Sequence, residues 1–162
     1  MLVRTSLTIL LLAAACRSIP VASLPTPVAS GPASELESQQ SSWNQLGLRD
    51  YSFTYTPMCM CAGYGRLYEV GVRDGKVVSF QSGSQPVSLS LRDLPRPTVD
   101  SLFAWIKDAY VRKAAVVRAT YDPQLHFPAN VSIDWNLNII DDEFSFEVSD
   151  LRPIPRVGLL RR

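Results

Sequence analysis

Four consecutive residues, Met58-Cys59-Met60-Cys61, carry four sulfur atoms, two of them as thiols. In a strand, residues two apart point the same way, so Cys59 and Cys61 would share a face. Three chemistries fit that spacing. A disulfide or buried thiol pair would brace the strand, although an i, i+2 disulfide closes a small, strained ring. The same strain makes a labile, redox-active pair. A soft-metal site would join the two thiolates to the thioethers of Met58 and Met60, a donor set that selects copper(I). A C-x-C spacing alone does not choose among the three.

The other candidate groups are oxygen and imidazole ligands. His126 is the single histidine, in the turn Asp122-Pro123-Gln124-Leu125-His126-Phe127. With one histidine and no Gly-x-Ser-x-Gly elbow, Ser-His-Asp hydrolysis is not expected. A lone histidine in a polar turn is expected to be exposed. The segment Asp134-Trp135-Asn136-Leu137-Asn138-Ile139-Ile140-Asp141-Asp142-Glu143 is rich in oxygens. Asp134, Asn136 and Asn138 open it like a calcium loop, and Asp141 and Asp142 add carboxylates. Ile139 stands where such a loop needs glycine, however, and Ser145 where it needs glutamate. A solvated hairpin loop is the expectation, with a low-affinity calcium site as the alternative. Asn130-Val131-Ser132 has the spacing of a glycosylation sequon.

These groups need a scaffold, and the pattern describes one. Glu35 to Leu48 reads as a short helix with Ser34 as its N-cap and Leu36, Trp43 and Leu46 as anchors. Tyr51-Ser52-Phe53-Thr54-Tyr55 alternates as a strand does. Arg66 to Val72 and Lys76 to Gln81 flank Arg73-Asp74-Gly75, a hairpin signal. A two-residue turn would put Val72 opposite Val77 and Val70 opposite Ser79. A three-residue loop would put Val70 opposite Val78 and Tyr68 opposite Phe80, which gathers the apolar side chains on one face and is preferred.

Thr98 to Lys113 is the best helix in the chain, capped by Thr98 and carrying Asp100 in its first turn. Its apolar stripe is Val99, Leu102, Phe103, Ile106, Ala109 and Tyr110. Three strands follow, with alternation at Val117, Ala119 and Tyr121, then Ala129, Val131, Ile133 and Trp135, then Phe144, Phe146 and Val148. The expected fold is α+β: an antiparallel sheet with helices packed on one face, read as a duplicated α-β-β-β unit. The other face, with Ser132, Asp134, Ser145 and Glu147, is expected to be solvated or used for binding.

Outside that domain the chain is of a different kind. Residues 1–15 combine Arg4, an apolar run from Leu7 to Ala15 and small residues before Cys16. The run falls short of the about 20 apolar residues that span a bilayer and has the layout of an export signal. Leu12-Ala13-Ala14-Ala15-Cys16 resembles a bacterial lipoprotein signal, in which the cysteine is acylated; Ala13 and Ala15 also make an ordinary cleavage site. The expectation is an exported protein, lipid-anchored to a membrane of the cell envelope through Cys16, with soluble secretion as the alternative. Residues 16–41, with Pro20, Pro25, Pro27 and Pro32 among small residues, read as a linker on the order of 80 Å long when extended. Residues 42–152 form the single domain, and 153–162 a basic tail that, with Arg152, carries Arg156, Arg161 and Arg162.

Without the signal the chain has 15 basic and 15 acidic side chains, so nothing in its charge recruits nucleic acid. The chain resembles a bacterial envelope family catalogued as domain of unknown function 6174. The resemblance rests on Asp50-Tyr51-Ser52-Phe53-Thr54-Tyr55, Cys59-Met60-Cys61, Val72-Arg73-Asp74-Gly75-Lys76-Val77-Val78 and Pro97-Thr98-Val99-Asp100-Ser101-Leu102-Phe103. It continues through Thr120-Tyr121-Asp122-Pro123, Ile133-Asp134, Asp141-Asp142-Glu143 and Val148-Ser149-Asp150-Leu151. It implies a small exported domain and supplies no reaction, cofactor or catalytic residue. The expected function is non-enzymatic binding of an envelope protein or cell-wall component, through the open sheet face or the Asp134 to Glu143 loop. The alternative is a metal-binding or thiol redox module using Cys59 and Cys61.

Overall fold

Pro32 opens the first helix, α1 (Pro32–Leu46), because its fixed φ suits a first turn in which its missing N–H has no intrahelical partner to lose. The computed structural model describes residues 31–59, 63, 65–87 and 96–155. Gly31, in extended backbone, is the N-cap of α1. Ser34, expected in that role, lies inside the first turn, where its hydroxyl donates to the Gly31 carbonyl at 2.7 Å. The helix thus takes in residues 32–41, part of the stretch that composition describes as linker. Leu36 and Trp43 are buried, whereas Leu46 is 41% exposed and anchors nothing.

The strands β1 (Tyr51–Cys59), β2 (Tyr68–Arg73), β3 (Lys76–Ser82) and the short β4 (Gln85–Pro86) follow. The second helix, α2 (Val99–Val111), leads to β5 (Val116–Tyr121), β6 (Pro128–Asp134) and β7 (Phe144–Pro153). All seven strands join in one antiparallel sheet of order β4-β3-β2-β1-β7-β6-β5. The fold is α+β. Helix α1 is followed by four strands and α2 by three, and the pairing of β1 with β7 joins the two groups.

One face of the sheet and both helices supply the core. Tyr51, Phe53 and Tyr55 of β1 lie opposite Val72, Val70 and Tyr68 of β2, and Pro57 and Tyr55 lie opposite Phe146 and Val148 of β7. Val99, Leu102, Phe103, Ile106 and Ala109 of α2 are fully buried against them. The period of 3.6 in α2 and of 2 in the strands is satisfied on this single layer.

The β2–β3 hairpin corrects the preferred register. Asp74 and Gly75 both have positive φ, at 48° and 73°, and close a two-residue turn with Val72 opposite Val77. That turn matches the right-handed twist of the strands. The extra residue sits beyond the turn, as a bulge that moves Val70 opposite Phe80 rather than Ser79 or Val78. Both apolar pairs reach the core, and Val78 is left 63% exposed.

The helices are held to the sheet at the start of α2. Thr98 and Ser101 cap each other's backbone N–H groups. Trp43 Nε1 donates to Asp100 Oδ1 at 2.9 Å, and the Tyr51 hydroxyl accepts from Val99 N at 3.1 Å. Burial pushes the Tyr51 hydroxyl up to about 12; the Val99 bond pulls the other way, and Asp100 reinforces the rise.

Asp50 organises the same end of the sheet. Its Oδ1 accepts from Asp74 N at 2.8 Å, and its carbonyl accepts from Ile154 N at 2.9 Å. Arg49 closes the contact: its carbonyl accepts from Gly75 N at 2.9 Å and its Nη2 donates to the Asp74 carbonyl at 2.8 Å. A Cβ at Gly75 would stand 3.3 Å from that guanidinium, in a backbone conformation that side chains resist. Replacing Asp50 with Ala strips a buried carboxylate from the hairpin turn and is expected to cost about 1.5–3 kcal/mol, read as a lower urea midpoint with an unchanged slope.

Candidate functional site

The helix-free face of the sheet is built from polar side chains in rows across the strands. Arg118, Ser132, Ser145 and Met58 make one row, and Thr120, Asn130, Glu147 and Thr56 the next. Ser149, Thr54, Glu69 and Gln81 make a third, in which Gln81 Nε2 donates to Glu69 Oε2 at 3.0 Å. A bulge in the β1–β7 pairing, with Asp150 at φ 54°, turns Leu151 into the core and leaves Arg152 opposite Ser52. Ser52 in turn pairs with Gly71, whose missing Cβ leaves room for Ser79 Oγ. Two shallow grooves cross this face. One of about 510 Å³ runs from Met58, Ser145, Ser132 and Arg118 to Glu35 and Tyr110, and one of about 330 Å³ lies over Thr54, Glu69 and Gln81.

The strongest departure from an ordinary soluble surface is at one end of the sheet. There β6 ends and β7 begins, β1 ends at Cys59, and α2 passes into β5. Leu137, Ile139 and Ile140 of the β6–β7 loop are 71, 52 and 87% exposed. Val111, at the end of α2, is exposed at the same end. Covering such a side chain contributes about 1.5–3 kcal/mol, so water is an unfavourable permanent neighbour for all four.

The β6–β7 loop is nevertheless ordered by its own bonds. Asn136 Oδ1 accepts from Asn138 N at 3.1 Å, and its carbonyl accepts from Ile139 N at 2.8 Å. Asp141 takes a left-handed backbone with φ 70°. At the base, Arg112 stacks over the Trp135 ring at 4.1 Å while pairing with Asp108 at 3.3 Å. Trp135 is therefore held in place rather than presented.

Among the described residues no three His, Cys, Asp or Glu side chains stand together as metal ligands. Asn136 spends its side-chain oxygen on the turn, and Asp141 is exposed. Asp134 and Asp142 each have an Oδ1 closed off from solvent with no hydrogen-bond partner. Loss of solvent pushes the Asp142 carboxyl up, Asp134 and Glu143 push it further, and backbone N–H groups of Asn136 and Asp142 oppose them.

His126 lies at the other end of the sheet, in the β5–β6 turn, with φ 64°. It is half-buried rather than exposed, because its Nδ1 lies 2.9 Å from Gln39 Oε1 and links α1 to that turn. The fold thus separates the only imidazole from Cys59, whose backbone ends β1 at the loop end. Cys16, Met60 and Cys61 lie outside the described residues, as do Arg156, Arg161 and Arg162. Arg152 is exposed and 4.0 Å from Asp150. The sequence reading singles out this loop for its oxygens and not for its aliphatic side chains. The signal for them was Leu137-Asn138-Ile139-Ile140, an apolar cluster inside a turn-forming, acidic stretch with no strand alternation.

The fold and this surface define an α+β protein with a polar open sheet and an apolar loop end. A family model with the description Family of unknown function (DUF6174) matches residues 35–153, and the chain belongs to that family. No curated protein and no solved structure matches it.

Asp142 offers a direct test of the loop's electrostatics. A carboxyl whose folded pKa is raised binds its proton more tightly folded than unfolded, so stability falls as pH rises through that range. Asp142→Asn is therefore expected to melt higher than the parent chain at neutral pH. The advantage should shrink as pH falls and the parent carboxyl takes up its own proton.

Proposed function

We propose that this is a non-enzymatic binding domain of an exported protein, anchored by lipid on Cys16, that engages another macromolecule of the cell envelope through the loop end of its sheet. The observation that carries the reading is the exposure of Leu137, Ile139 and Ile140 together on one loop, with Val111 exposed at the same end of the fold. A soluble domain gathers large aliphatic side chains on one exposed surface where something covers them. The open sheet face, polar and rich in hydroxyls, supports the same reading as a second contact area. Residues 16–30 then act as the spacer between anchor and domain.

Two measurements test this. Intact mass of the mature protein from the cells that make it is expected to show an acyl increment on an N-terminal Cys16. Cys16→Ser should abolish the increment and move the protein to the aqueous phase of a detergent partition; an unmodified mass would remove the anchor. Hydrogen exchange of the full mature chain with and without solubilised envelope material tests the binding. Slower exchange confined to 135–143 and the neighbouring connections is expected, and unchanged exchange throughout would remove the binding role.

A further inference from the structure

We infer that the β6–β7 loop is a knob that seats in an apolar cleft of a partner protein, with cationic side chains of the partner at its acidic base. The inference rests on the binding reading above and specifies its partner. The tip of the knob is Leu137, Ile139 and Ile140, the last of them 87% exposed. Its base, directly next in the chain, is Asp141, Asp142 and Glu143, with Asp134 across the loop. The turn bonds of Asn136 hold the tip in one shape, so little ordering entropy is lost on docking.

The charges at this end choose a protein over a membrane. The knob's base is acidic, whereas Lys113, two residues after Val111, is basic and exposed. An anionic lipid surface would attract Lys113 and repel the acidic base. A folded protein presents both signs in one interface and matches each side separately. Trp135, the aromatic residue of the loop best suited to a bilayer interface, is clamped beneath Arg112 and withheld.

The test uses the full-length chain in the cells that make it, with a photo-crosslinking amino acid at Ile140 and, on the open sheet face, at Thr120. A protein adduct at Ile140 is expected, with the crosslink mapped to an apolar segment flanked by Arg or Lys. Its yield should fall about tenfold in Asp141→Lys with Glu143→Lys, and again in Lys113→Glu. An adduct with phospholipid alone, or a yield indifferent to these reversals, would overturn the knob. An adduct at Thr120 without one at Ile140 would leave the binding domain standing and discard the loop as its contact. No adduct at either position would discard both.

Discussion

The arrangement of this domain depends on how the first turn of α2 is held. Thr98 and Ser101 satisfy each other's backbone, Trp43 of α1 reaches Asp100, and Tyr51 of β1 accepts from Val99. Three elements distant in sequence meet there through directional bonds. Hydrophobic burial alone would let two amphipathic helices slide across an apolar sheet face, because it has no direction. The node removes that freedom. With α2 placed, Phe103 stacks on Tyr121 and Trp105 packs edge-on against Phe144 and Phe146, which ties α2 to the strands that follow it.

The same burial carries an electrostatic cost. Tyr55 and Tyr68 face each other across β1 and β2 with both hydroxyls buried and without a partner. Burial raises the Tyr55 hydroxyl far above its ordinary range, and Tyr68 adds to the rise. Apart from such positions, the layer under the helices is apolar, and polarity is confined to the opposite face and to the ends. That division is why the loop end stands out: its aliphatic side chains are outside a core that is already complete.

Motifs that mark the family turn out to be largely structural where the structure describes them. Asp50 and Asp74-Gly75 form the hydrogen-bonded corner of the hairpin, Tyr51 and Thr98-Val99-Asp100 form the α2 node, and Asp122 accepts from Gln124 N and Leu125 N in the β5–β6 turn. Asp150 sits at the β7 bulge. Each is a place where backbone groups need a fixed partner or a positive φ. Asp141-Asp142-Glu143 shares this, with Asp141 at a positive φ and the Asp142 carboxylate bonded by backbone N–H groups, but it also stands at the base of an exposed apolar tip.

Local chemistry by itself determined the element types, the stripe of α2, the cap at Thr98 and the in-and-out alternation of the strands. Those properties depend on residues within a few positions of one another, and so they are written in the spacing. Tertiary structure alone decided the rest. The β2–β3 bulge could not be placed from spacing, because the register that gathers the apolar residues can be reached with the extra residue in the turn or beyond it, and the strand twist favours the two-residue turn. The Ser34 cap gave way to Gly31 because Pro32 extends the helix. The separation of His126 from Cys59, and the exposure of Leu137, Ile139 and Ile140, follow from which ends of antiparallel strands lie together. An aliphatic side chain looks the same in a sequence whether it faces a core or water; only the packing of distant strands decides which.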